Sequence, residues 1–164
     1  MIRVAIVTIS DSVVAGTRED RSGPVLRERV EALGWQLTAQ EIVPDEVDRI
    51  AAVLKELADV AKVSVILTTG GTGVSPRDVT PEAARTVIDR EIPGLGEVMR
   101  AEGRKVTPFA ALSRSMAGTR GTTLIVNLPG SPKGAAESFD AISKLVPHIV
   151  NLIEGRTGHG DVPN

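Results

Sequence analysis

Apolar residues along this chain fall into two alternating textures. "IRVAIVTI" at the N-terminal end, "VSVILTT" from Val63 and "TTLIVNL" from Thr122 are short, nearly continuous runs rich in Val and Ile. That is the pattern of strands buried on both faces. "WQLTAQEIV" from Trp35 predicts a further strand. Between these runs the period lengthens. In "SGPVLRERVEALG", Leu26, Val30 and Leu33 recur at i, i+4 and i+7, and Gly34 is a natural left-handed stop. In "PDEVDRIAAVLKELADVAK", Val47, Ile50, Ala51, Leu54, Leu57, Ala58 and Ala61 share one helical face. "TPEAARTVI" predicts a short helix with Thr80 as N-cap and Pro81 in the first position. "GLGEVMRAEGRK" predicts another, while "TPFAALSRSMAG" fits a helix or irregular chain equally. Residues 129–155 read as a long helix capped by Ser131, opened by Pro132 and kinked or divided at Pro147.

Strands alternate with helices throughout, so the class is α/β: an open, mostly parallel sheet covered on both faces. Residues 1–155 read as one domain and 156–164 as a polar tail.

Composition narrows the function. The net charge is −2, with one Trp, two Phe and no Tyr. Neither a basic field nor stacking aromatics are there to hold nucleic acid. Without cysteine there is no disulfide and no thiolate metal site. The apolar runs are too short to span a bilayer, and the N-terminus opens on a strand pattern with no small-residue cleavage site. A cytoplasmic protein is expected.

In open α/β sheets, ligands bind beyond the carboxyl ends of the strands. The four strand exits here read "TISDS", "VPDE", "TTGGTG" and "NLPGSP", and all are polar. Gly70, Gly71, Thr72 and Gly73 can bring backbone N–H groups close to an anion, or can simply form a βα turn that needs positive φ. The loop lacks the Gly-Lys-Ser/Thr of a P-loop and the spacing of a dinucleotide fingerprint. Pro129, Gly130 and Ser131 repeat the device, with ordinary capping as the alternative.

Asp78 beside a phosphate cradle implies an intervening cation, for which Mg²⁺ is the usual answer; otherwise it is a solvated loop residue paired with Arg77. Asp45 has the position of an N-cap. Ser10 and Asp11 are placed to contact phosphate or ribose, or to close an Asx-turn. Arg114 is either a phosphate clamp or a surface ion-pair partner. His148 and His159 show no metal-ligand spacing.

Taken together, "TISDS", "DRSGP", "IVPDE", "LTTGGTGVSPRDVTPEA", "DREIPGLGEVMR", "LSR" and "LIVNLPGSPKG" resemble the molybdopterin adenylyltransferase family of molybdenum cofactor biosynthesis. The pieces follow the family order over about three-quarters of the chain. The resemblance implies a three-layer αβα sandwich, assembly as a homotrimer, and a reaction in which molybdopterin and MgATP give adenylyl-molybdopterin and pyrophosphate. It carries functional carboxylates onto Asp45 and Asp78, with Asp78 on Mg²⁺. It implies ligand contacts for Ser10, Asp11, the glycine loop and the Pro129–Ser131 turn, and handover of product to a molybdenum-inserting enzyme. A non-catalytic molybdopterin-binding or scaffolding oligomer of the same superfamily is the alternative.

Overall fold

The computed structural model describes residues 1–157. Strands β1 (Arg3–Ile9), β2 (Gln36–Val43), β3 (Val65–Thr69), β4 (Arg90–Glu91), β5 (Ala117–Arg120) and β6 (Thr123–Leu128) form one sheet in the order β2-β1-β3-β6-β5-β4. The four strands expected from the apolar runs are parallel neighbours. β5 and β4 extend the β6 side as an antiparallel margin.

The helices are α1 (Asp11–Val14), α2 (Ser22–Ala32), α3 (Val47–Lys55), α4 (Thr80–Arg85), α5 (Pro93–Arg104), α6 (Pro132–Ile142) and α7 (Val146–Ile153). Strand alternation sorts the core into two layers. Val4, Ile6, Val65, Leu67, Leu124 and Val126 meet α2, α5, α6 and α7 through Leu26, Val30, Met99, Phe139 and Val150. On the other face Ala5, Val7, Ile66 and Ile125 meet α3 and α4 through Ile50, Leu54, Ala83 and Ala84. The result is the three-layer αβα sandwich. Trp35 closes the first layer edge-on against Phe139, with ring centroids 5.9 Å apart.

Several local expectations change. Leu33 lies beyond the end of α2 and is exposed, because the helix stops at Ala32. α3 passes at Glu56–Val60 into a π-helical turn, which keeps Leu57 and Ala58 buried while Ala61 turns out. Thr80 is the first residue of α4 rather than its N-cap. Its hydroxyl donates to the Gly70 carbonyl at 2.8 Å, and Val79 holds the cap position without a side-chain bond. The stretch at 107–118 resolves into a 3₁₀ turn (Pro108–Leu112) and the start of β5. The long C-terminal helix is divided, with Pro147 in the opening turn of α7. The tail expected from residue 156, with His159, lies almost wholly outside the described residues.

The chain places β2 on one side of β1 and β3 on the other. That reversal of direction opens a crevice at the carboxyl ends of β1 and β3.

Candidate active site

A cleft of about 500 Å³ occupies this crevice. Thr8, Ile9, Ser10 and Asp11 reach it from β1, Asp45 from the end of β2, Thr69 to Gly73 from β3, and Gly130, Ser131 and Pro132 from β6. All four polar strand exits therefore converge on one space. Arg77 and Asp78 close it from the loop before α4.

The glycine loop is shaped by steric need at two positions. Gly70 has φ 107° and Gly71 φ 69°, in the region open to glycine. A Cβ on Gly70 would strike the Ile9 carbonyl. The Gly70 N–H is drawn into the sheet and donates to the Leu128 carbonyl at 3.1 Å, so it is not available to an anion. Among the described residues, the N–H groups of Gly71, Thr72 and Gly73 donate to no backbone carbonyl. The usable cradle is thus three amides, shifted one residue along from the start of the glycine run. Thr72 is 4 % exposed, lines the cleft, and its hydroxyl has no protein partner among the described residues.

The second turn leans on the first. Thr69 Oγ1 donates to the Pro129 carbonyl at 2.7 Å, and a Cβ on Gly130 would sit 3.2 Å from the Gly70 Cα. Ser131 caps α6, its Oγ accepting from Gly134 N at 3.0 Å, and it still faces the cleft. Capping and a ligand role coexist there.

Both candidate carboxylates abut the cradle. A Cβ on Gly71 would come 3.1 Å from Asp45 Oδ1, and one on Gly73 would come 2.7 Å from Asp78 Oδ2. Two glycines thus leave the space into which two carboxylates fit. Asp45 is not a helix cap: Glu46 holds that position, without a side-chain bond. Asp45 instead exchanges hydrogen bonds with Asp11. Asp11 N–H donates to Asp45 Oδ2 at 2.9 Å, and Asp45 N–H donates to Asp11 Oδ1 at 3.0 Å. This clasp ties the exit of β1 to the exit of β2.

Asp78 accepts from Ser75 N–H at 3.0 Å and does not pair with Arg77. Arg77 reaches across the cleft mouth to Asp11 at 2.8 Å. Ser10 caps the short α1, its Oγ accepting from Val13 N–H at 3.3 Å.

The electrostatics follow from these contacts. Partial burial raises the Asp45 pKa, and the charges of Asp11 and Asp78 raise it further, against the Asp11 N–H and Arg77. Asp11 is lowered, chiefly by the Asp45 N–H and then by Arg77. Arg114 lies outside the cleft lining. Its guanidinium donates to the Gly73 and Asp78 carbonyls, each at 2.7 Å, and to both oxygens of Glu82 at 2.9 and 2.7 Å. Those acceptors make it the strap behind the glycine loop, with no geometry toward a ligand phosphate.

Sequence reasoning passed over Arg18, Arg21, Asp20 and Ser22, which all line the cleft. They belong to the "DRSGP" stretch and its approach, after α1, where no strand exit drew the eye. A second, more apolar cleft of about 340 Å³ adjoins the first. Met99, Phe109, Ala110 and Leu112 line it, and it shares Thr72, Gly73, Gly130 and Ser131 with the polar cleft.

Three groups of known proteins match. The family described as probable molybdopterin binding domain covers residues 5–148. The molybdenum cofactor synthesis protein cinnamon of Drosophila melanogaster is 46% identical over 153 residues, spanning 93% of this chain but 26% of that protein. The molybdopterin adenylyltransferase of Helicobacter pylori is 40% identical over 156 residues, spanning 94% of this chain and 89% of the relative. Among solved structures, the molybdopterin biosynthesis enzyme MoaB of Thermus thermophilus superposes with a TM-score of 0.90 at 50% identity, covering 94% of this chain and 98% of that one. With the crevice, the paired glycine turns and these matches together, the chain belongs to the molybdopterin-binding domain family of molybdenum cofactor biosynthesis.

Proposed function

We propose that this protein transfers an adenylyl group from ATP to the terminal phosphate of molybdopterin, releasing pyrophosphate. The observation that carries the reading is the cradle of Gly71, Thr72 and Gly73 with Asp45 and Asp78 seated against it. Relatives named molybdopterin adenylyltransferase align over nearly the whole chain.

A phosphate monoester has its second pKa near ~6, so the nucleophile is mostly ionised without a general base. The obstacle is bringing two polyanions together, which makes positioning and charge neutralisation the catalytic task. The cleft lining counts three guanidinium groups against five carboxylates, so the walls alone repel a polyphosphate. That composition fits Mg²⁺. The described residues contain no group of three or more potential ligands that could cage a metal. One or two carboxylates plus substrate phosphates is the way Mg²⁺ is usually held. Asp78 and Asp45 would hold it, and when bound it supplies the positive charge that the walls lack. The free amides of the two turns, Gly71–Gly73 and Gly130–Ser131, orient the phosphates. Asp11 supports this wall through the clasp with Asp45, and Ser10 caps the short helix that Asp11 opens. The apolar cleft beyond Gly73 gives room for a planar ring system.

The test is pyrophosphate release from ATP and molybdopterin. Asp78→Asn is expected to reduce kcat/KM by about 100-fold or more, as loss of a metal-holding group does, at an unchanged Tm. Near-normal turnover in that variant would remove Asp78 from the chemistry. Calorimetry with MgATP separates the runner-up: a wild-type protein that binds molybdopterin but no nucleotide would be a non-catalytic binding or scaffolding member.

No helix among the described residues is long and apolar enough to cross a membrane. We place the protein in the cytoplasm because the proposed reaction consumes ATP. We also place the chain in a homotrimer. Val106, Phe109 and Leu112, all more than half exposed along one short stretch, support an association face. Sedimentation showing only monomer would reject that. In the Drosophila and Dictyostelium relatives the matching stretch is about a quarter of a longer protein, 26% and 23%. We also propose handover of product to a separate molybdenum-inserting enzyme, as the family resemblance implies.

A further inference from the structure

The cleft has a basic flank that the glycine loops and acidic pair do not account for. Of its three guanidinium groups, Arg77 is neutralised by Asp11. Arg18 and Arg21 also line the cleft, and among the described residues neither forms an ion pair or a side-chain hydrogen bond. This holds although five carboxylates line the same space. Nearby Asp20 is already occupied: its Oδ2 accepts from Thr8 Oγ1 at 2.9 Å and its Oδ1 from Gly23 N–H at 3.1 Å.

The segment carrying the two arginines is anchored rather than loose. Thr17 and Arg18 N–H groups donate to the Ser12 carbonyl at 3.0 and 3.2 Å. On the other side, Asp20 sits in the gap left by Gly23, where a Cβ would come 3.0 Å from Thr8 Oγ1. Between them stands Ser22, the first residue of α2. It is 4 % exposed and lines the cleft, and its hydroxyl has no protein partner among the described residues. A hydroxyl that opens onto the cleft from a buried residue, beside two exposed guanidinium groups without a protein partner, has the chemistry of a phosphate site.

We infer that Arg18, Arg21 and Ser22 form a phosphate-binding site on the flank of the cleft opposite to Asp45 and Asp78, holding a substrate phosphate that the metal does not neutralise. α2 packs on the face of the sheet opposite to α3 and α4, so the basic and acidic flanks approach the reacting centre from different layers. The site rests on the adenylyl-transfer reading. Its occupant is a dianionic phosphate, either the molybdopterin monoester or the pyrophosphate end of ATP. An in-line displacement places these two on opposite sides of the phosphorus attacked, so one site takes one of them.

The double variant Arg18→Gln, Arg21→Gln tests it, with Arg21→Lys as a charge-retaining control. Calorimetry reads binding of magnesium pyrophosphate, MgATP and AMP; steady-state kinetics read KM for molybdopterin. A pyrophosphate occupant predicts that pyrophosphate and ATP affinities fall about 10-fold or more while AMP affinity holds. A molybdopterin occupant predicts a rise of similar size in its KM, with pyrophosphate affinity intact. Arg21→Lys restores part of either loss, which a purely structural role would not give. If all affinities and KM values stay within about twofold, the site is overturned. A wild-type protein that binds neither ATP nor pyrophosphate overturns the adenylyl-transfer reading itself, and this site with it.

Discussion

At the scale of single residues, the site is a problem in sharing charge. Asp11 and Asp45 hold each other's backbone N–H, yet their titrations move apart: Asp11 is lowered and Asp45 raised. Arg77 favours the ionised form of both. For a carboxylate raised in the folded state, ionisation costs stability above its folded pKa, and the cost is relieved as pH falls. A lowered carboxylate does the reverse, adding stability above its unfolded pKa that is lost as pH falls through the folded one. The proposed activity uses Asp45 in its ionised form, so the acid limb of kcat/KM is expected at a higher pH than an unperturbed aspartate would give. Arg77→Gln takes away a charge that favours ionised Asp45, and should move that limb to higher pH. It also shrinks the acid-side stabilisation from Asp11, so the variant should unfold at a higher pH on acidification. Asp45→Asn removes the limb. A pH–rate profile of Arg77→Gln that superposes on wild type would show that Asp45 does not control the acid side.

At the scale of elements, the two ends of one glycine run do different work. Gly70 belongs to the fold: its positive φ, its N–H bond to Leu128 and its contact with the Ile9 carbonyl fix how β3 leaves the sheet. Gly70→Ala should cost about 2–4 kcal/mol from left-handed strain and a clash with backbone, seen as a lower Tm. Gly73 has no such φ, and its Cβ would meet only the tip of Asp78. Gly73→Ala should leave stability within about 0.5 kcal/mol of wild type, as for substitutions away from structural features, while lowering kcat through a displaced Asp78. Equal losses of stability in the two variants would refute this division.

The same elements show what the sequence made legible. Doubly buried strands β1, β3 and β6 are legible as Val- and Ile-rich runs, and their polar exits point to the crevice. β4 and β5 were not visible: a two-residue pairing has no period, and "AGTR" is half glycine and small residues. Arg114 could not be read either, because its acceptors at Gly73 and Asp78 lie about 40 residues away in sequence. Asp45 had the local grammar of a cap, and only the tertiary clasp with Asp11 overrode it.

At the scale of the whole molecule, the proposed reaction asks a chain of net charge −2 to bind polyanions in a cleft with more carboxylates than guanidinium groups. On that reading, affinity would come through a divalent cation that enters with the substrate. The fold itself is expected to stand without one. Two continuous apolar layers hold the sheet, and the described residues offer no cage of three or more metal ligands. Chelation should therefore leave the Tm of the ligand-free protein unchanged. With nucleotide at 100 times its dissociation constant, binding adds about 2.7 kcal/mol to the stability of the folded state. That increment should appear with MgATP and vanish on adding EDTA, returning Tm to the ligand-free value. Thermal unfolding with ATP, MgATP and MgATP plus EDTA reads all three states in one experiment. A Tm that falls below the ligand-free value on chelation alone would mean that a metal is part of the fold. A rise with ATP and no metal would mean that Arg18, Arg21 and the glycine amides neutralise the triphosphate unaided.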